Sequence, residues 1–186
     1  QISCSENGIF AVATDGTIFQ RTGVSSSNPQ GTKWVGYSNG LLTQISSGNF
    51  GVLWGVSLKN TSVYHHRDTW IDLGETCSWV SCGGLGCWIV NVNGSASFRT
   101  GVNSSDPGGL TWVNTGGSFK QLDTGVHGQV YAVDNEGQMY TREGISAGDP
   151  VGYKWSKVGD ERFLHVSVGD KFVLGIHETS AIYALP

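Results

Sequence analysis

Apolar residues in this chain fall in short alternating runs, and the runs come in sets of four separated by glycine-rich turns. One set reads Lys33–Tyr37, Leu41–Ser46, Gly51–Ser57 and Ser62–Arg67, four predicted strands joined by Asn- and Gly-bearing turns. The third run of each set repeats best. A large residue stands at Phe10, Trp54, Trp88, Tyr131 and Leu174, and a branched one follows two positions later at Val12, Val56, Val90, Val133 and Ile176. Strand geometry puts both columns on one face. Between them lie Ala11, Gly55, Ile89, Ala132 and Gly175, mostly small, as suits a strand pressed by its neighbours. Asp15-Gly16, Asn93-Gly94 and Glu136-Gly137 predict the hairpins that follow. No helical periodicity is sustained.

A loop is written three times between these sets: GVSSSNPQGTKW at Gly23–Trp34, GVNSSDPGGLTW at Gly101–Trp112 and GISAGDPVGYKW at Gly144–Trp155. Residues Gln1–Trp34 align without a gap on Trp79–Trp112. Trp34, Trp70, Trp112 and Trp155 mark a period of 36, 42 and 43 residues, the short interval being the one that lacks the loop. A unit this small cannot bury its own apolar face, so the units must stack. Closing them into a ring removes exposed sheet edges. The chain therefore reads as all-β, a β-propeller of about five four-stranded antiparallel blades. Residues 1–186 form one domain, with repeats at 1–33 (partial), 34–69, 70–111, 112–154 and 155–186. If each blade is completed by the Trp strand of the following repeat, the last blade lacks a strand. Completion by a strand of another chain gives the same count and leaves a homo-oligomer open.

Composition narrows the setting. Net charge is −4, with no basic cluster, which argues against a nucleic-acid partner and against an anionic membrane surface. No apolar run approaches the length of a membrane span. The four cysteines include no CxxC pair, and no HxxxH pair accompanies them, so no metal site and no cofactor is expected, and calcium is not indicated. Cys82 and Cys87 bracket Gly-Gly-Leu-Gly, a hairpin that a disulfide would staple, while the pairing of Cys4 and Cys77 stays open. Asn60, Asn93 and Asn103 each open an N-glycosylation sequon. With Gln1 read as a mature N-terminus, these features favour a secreted, oxidising location.

The unit LLTQISSGNFGVLWGV…SVYHHR resembles the tectonin repeat, and RTGVSSSNPQGTKW resembles that family's connecting loop. SCGGLGCWIV is similar to the cysteine-bracketed hairpin of fish egg lectins. The resemblance covers nearly the whole chain and implies a β-propeller lectin. Secreted members bind sugars on microbial or egg-surface glycans, lipopolysaccharide among them, and a fungal member is linked to O-methylated sugars. Intracellular members serve trafficking. The chain departs from six-repeat members in having about five units and in lacking the loop in its second unit.

A sugar needs an aromatic plane for its C–H face beside polar groups for its hydroxyls. The repeat assembles both. Arg21, Arg99 and Arg142 precede the loop, Asn28, Asp106 and Asp149 sit within it, and Trp34, Trp112 and Trp155 close it. Tyr64 and Tyr140 recur in the fourth strand, and His66 adds a polar group in the second repeat. Each type also has a structural use: Trp as core, Asn or Asp before Pro as a turn former, Arg as a loop clamp. The expected ligands are terminal neutral or O-methylated sugars, bound multivalently, in innate defence or agglutination. Two other classes compete. Ser104–Trp112 approaches a sialidase box but is one residue too long, and no nucleophile elbow or metalloprotease helix is present, so no enzyme is expected. A non-catalytic protein-binding scaffold is the alternative.

Overall fold

In a computed structural model the described residues form antiparallel β-sheet joined by turns and loops, with one 3₁₀ turn among them at Asn49–Gly51. The structure describes residues 1–66 and 69–185, and Phe50 and His66 by their backbone alone. Strand pairing divides the chain into successive sheets. The first holds β1 (Ile2–Ser5), β2 (Gly8–Val12), β3 (Thr17–Thr22) and the first half of β4 (Lys33–Ser47). The second takes the other half of β4, then β5 (Leu53–Ser57), β6 (Thr61–His66) and the start of β7 (Thr69–Gly83). The third runs from the end of β7 through β8 (Gly86–Asn91) and β9 (Ala96–Arg99) to β10 (Trp112–Gly116). The fourth comprises β11 (Phe119–Thr124), β12 (Val130–Asp134), β13 (Gln138–Glu143) and the start of β14 (Lys154–Val168). The fifth has the end of β14, β15 (Val173–His177) and β16 (Ile182–Leu185).

One expectation is corrected. Lys33–Tyr37 and Leu41–Ser46 are not separate strands but the two ends of β4, a single strand of 15 residues that leaves one sheet and opens the next. Ser38 bends the chain at φ 129° without ending the strand. Gly40 is required there because a Cβ would come within 2.3 Å of the Trp70 ring. β7 and β14 hand over in the same way. The hairpins fall where Asp15-Gly16, Asn93-Gly94 and Glu136-Gly137 place them. Gly16, Gly94 and Gly137 adopt φ between 87° and 88°, and Asn60 takes the equivalent left-handed position in the second sheet.

The predicted columns form the layers between sheets. Phe10, Val12 and Ile18 pack on Leu42, Ile45 and Leu53. Trp54 and Val56 meet Val80, Cys87 and Ile89. Trp88, Val90 and Phe98 meet Leu122, Val130 and Ala132, and Val133 and Met139 meet Phe163, Val166 and Val173. Each such side chain, fully buried, contributes about 1.5–3 kcal/mol. The small residues between the columns have a steric cause. A Cβ on Gly55 would strike Leu42 Cδ1 at 2.4 Å, and one on Gly175 would strike the Phe163 ring at 2.4 Å.

The first strands of the sheets lie side by side around a cavity of about 540 Å³ and are joined by side chains rather than by strand pairing. Gln1 Oε1 accepts Ile45 N–H, Gln44 Oε1 accepts Val80 N–H, and Gln121 Oε1 accepts Val166 N–H. Two residues on, Ser3, Ser46 and Ser81 accept the N–H groups of Ser47, Cys82 and Thr124, and Asp123 accepts that of Val168. The polar positions along these strands thus satisfy backbone groups that antiparallel pairing leaves open. At the C-terminal end of the array the layer positions are exposed. Leu174 is 43% and Ile176 41% exposed, whereas Trp54 and Val56, at the same columns, are fully buried.

Candidate functional site

The repeated loop is built from the end of one strand to the start of the next. Arg99 terminates β9. Its Nε–H donates to Gly108 O at 2.8 Å and Nη2 to Gly109 O at 3.3 Å, while its guanidinium lies 5.0 Å from the Trp112 ring centre. Arg142 repeats the arrangement on Val151 O, Gly152 O and Trp155, the last at 5.4 Å. Arg21 donates to Gln30 O at 2.8 Å and sits 5.6 Å from Trp34. A guanidinium over an indole face is favourable. Burial lowers Arg99 and Arg142 from the ordinary arginine value, opposed by Asp106 and Asp149.

The structure thus brings the predicted Arg, Asn/Asp and Trp together in each loop, in a clamp. Asp149 Oδ1 accepts Val151 and Gly152 N–H, and Asn28 Nδ2 donates to Gly23 O. Asp106 differs, since its carboxylate makes no hydrogen bond among the described residues while its backbone is fixed by Asn103. The loops also dock on the preceding sheet. Trp54 Nε1 donates to Pro107 O at 2.8 Å, and Tyr64 lies so close to Gly108 that a Cβ there would come within 2.6 Å.

The rings divide into two groups. Trp112 packs edge-on against Trp54 at 5.8 Å and Trp155 against Trp88 at 6.0 Å. Trp34 meets no such partner among the described residues and is 41% exposed beside Phe19 and Ala11, in an apolar groove of about 320 Å³. Tyr64 and Tyr140 are packing residues, on Trp54 and on Phe119, and they do not recur at one position as expected: Tyr64 pairs with Trp54, while Tyr140 pairs with Ala132 and so matches Val63. The side chain of His66 lies outside the described residues. Asn60, Asn93 and Asn103 are all exposed, at two hairpin tips and a loop. Cys82 and Cys87 form a disulfide, while Cys4 is a free, exposed thiol and Cys77 a buried one. Among the described residues no cluster of three or more His, Cys, Asp and Glu could hold a metal ion.

Two places escaped the sequence reading. In the cavity between the first strands, Trp79 and His165 stand where Gln1, Gln44 and Gln121 stand in the other sheets, and they meet edge-on at 5.5 Å. Asp123, beside them, accepts Ser81 Oγ–H at 2.7 Å. The other place is a polar cavity of about 350 Å³ between the second and third sheets, where Asn91, Asn114 and Ser97 face Trp112. Lining the repeats up position by position would have exposed both departures.

Successive twisted sheets sharing a common channel define a β-propeller. The tectonin domain family model matches residues 37–178, and a model described as propeller matches residues 8–35. The chain belongs to the tectonin domain family. It is similar to the fish-egg lectin of Cyprinus carpio, 25% identical over 123 residues, which are 60% of this chain and 52% of that protein. It is also similar to tectonin beta-propeller repeat-containing protein 1 of Mus musculus, 27% identical over 142 residues, 69% of this chain and 12% of the relative. The chain thus spans about half the length of the first relative and a small part of the second. Among solved structures, YCF48 from Cyanidioschyzon merolae superposes with a TM-score of 0.66 at 13% identity, over 100% of this chain and 68% of that one. Yeast RCC1 (Prp20), in its crystal structure with Kap60, gives 0.64 at 12%, over 99% and 55%. At such identities the likeness is one of fold.

Proposed function

We propose that this tectonin propeller is a non-catalytic, secreted lectin that binds terminal neutral or O-methylated sugars on microbial or egg-surface glycans through several weak sites. Residues 1–186 are read as one domain of five repeats. The observation that carries the reading is the threefold constellation in which an arginine lies over a tryptophan at 5.6, 5.0 and 5.4 Å and anchors an exposed Ser-, Asn- and Asp-bearing loop. The match to a protein described as a fish-egg lectin supports it. In this arrangement Arg21, Arg99 and Arg142 hold the loops, and the loop tips and the open ring of Trp34 meet the sugar. Matching sites on one array favour a surface that repeats its sugars. A glycan array probed with the pure chain tests this. Selective binding to neutral or methylated termini supports it, and a flat response to all glycans with clear binding to a protein would favour a scaffold instead.

A further inference from the structure

We infer that the cavity between the second and third sheets is a second kind of site, for a single uncharged, hydroxyl-rich ring such as a pyranose. The inference rests on the lectin reading for its ligand class but on separate observations for its place.

The first observation is steric. Ser97 pairs with Ile89, which packs against the second sheet, and the equivalent positions in the other repeats carry Phe19, Val63, Tyr140 and Tyr183. Val63 and Tyr140, which have a preceding sheet to face, fill the layer. Val63 is buried against its neighbours, and Tyr140 packs on Phe119 at 5.6 Å. With Ser97 in their place a cavity of about 350 Å³ remains under Trp112, at the lower end of the range for small-ligand sites.

The second observation is an unsatisfied donor. Trp70 Nε1 donates to Ser38 Oγ and Trp155 Nε1 to Thr115 Oγ1, in each case on the last strand of the preceding sheet. The corresponding stretch facing Trp112 carries Leu73 and Gly74, which offer no hydroxyl. Trp112 Nε1 is buried with no partner among the described residues. A buried N–H without an acceptor costs about 1–3 kcal/mol, and because Nε1 is itself closed to solvent, a ligand oxygen recovers that cost on a shift of the ring that opens Nε1 to the cavity.

The remaining wall is polar and already ordered. Asn91 Nδ2 donates to Ser95 Oγ and Ser97 Oγ at 2.9 Å, and Asn114 Nδ2 donates to Ser95 Oγ at 3.0 Å. Among the described residues Glu75 is the one charged group lining the wall, and the Arg99 guanidinium lies within electrostatic reach of it. A carboxylate there accepts sugar hydroxyls, as the asparagine and serine side chains around it also can. Asn93 stands at the rim within its sequon, so protein from a non-glycosylating host keeps the mouth bare.

The test is a titration of the full chain from such a host with the methyl glycosides of glucose, galactose, mannose and N-acetylglucosamine. The readout is the indole N–H resonances of the seven tryptophans, with Trp112 assigned by Trp112→Phe. At least one sugar is expected to shift the Trp112 resonance in a saturable way. Ser97→Tyr, which restores the bulk of the other repeats, is expected to abolish that shift while the other indole resonances stay dispersed. Asn114→Ala is expected to weaken it at least fivefold, providing a second test if Ser97→Tyr does not fold. A Trp112 signal unmoved by every sugar overturns the inference. If the glycan array is then still positive, the lectin reading survives alone, and if the array is blank, both fall.

Discussion

Gln44 grips both backbone groups of Val80 in the next sheet: its Oε1 accepts the Val80 N–H at 3.1 Å and its Nε2 donates to the Val80 carbonyl at 2.9 Å. Gln121 holds Val166 in the same way, at 3.0 and 2.9 Å. These bonds substitute for the strand pairing that ends at each sheet. Gln121→Ala leaves two buried backbone groups unpaired and is expected to cost about 2–4 kcal/mol. Urea unfolding of the variant measures it, and a loss below about 0.5 kcal/mol would mean that the apolar layers alone join the sheets.

Arg142 donates to two loop carbonyls through a fixed fork, and a lysine cannot reproduce that geometry. Arg142→Lys is therefore expected to lose about 1–3 kcal/mol of stability and to open the 144–152 segment to proteolysis. Limited digestion followed by mass spectrometry reads this directly. A variant as resistant as the parent would assign Arg142 to the ligand and not to the loop.

Cys82 and Cys87 close a hairpin of only five residues' separation. The chain-entropy contribution of so short a loop is about 2 kcal/mol. The Cys82→Ala/Cys87→Ala double variant should fold and unfold cooperatively, weakened by about that amount. Failure to fold would show that the staple is needed to form the third sheet.

Burial lowers His165 from its ordinary value of 6.5, opposed by the Asp123 charge. A folded-state value below the unfolded one gives stability that is complete above about pH 6.5 and lost as the pH falls through the folded value. Asp123 acts in the opposite sense. Burial raises it above 3.8, so the stability it contributes is present in acid and lost as the pH rises through the raised value. His165→Gln, which installs the residue that three of the other repeats carry, is expected to flatten the fall in stability below about pH 6.5. Denaturant midpoints at a series of pH values check it, and an unchanged profile would place the titration elsewhere.

The fold was legible because its cause is periodic. The columns Phe10, Trp54, Trp88 and Val12, Val56, Val90 mark the buried faces, and Gly16, Gly94 and Gly137 mark the turns. What was hidden is the continuity of β4. Ser38-Asn39-Gly40 carries the composition of a turn, yet Gly40 is there for close approach to Trp70. The site was legible as a region and not as atoms. The same Arg, Asp and Trp types serve a clamp or a ligand, and only the carbonyl partners of Arg99 and Arg142 show which use they meet. The cavity at Ser97 was hidden for another reason: its signal is the loss of a side chain that the other repeats keep.

The most direct test of weak, repeated sugar sites compares one ligand in two presentations. The sugar selected by the array is titrated as a free methyl glycoside by calorimetry, and binding is then measured to a surface densely coated with it. The free glycoside is expected to bind at about 0.1–10 mM, and the dense surface about 10²–10⁴-fold more tightly. Equal affinity in both formats, or no binding in either, would contradict the account.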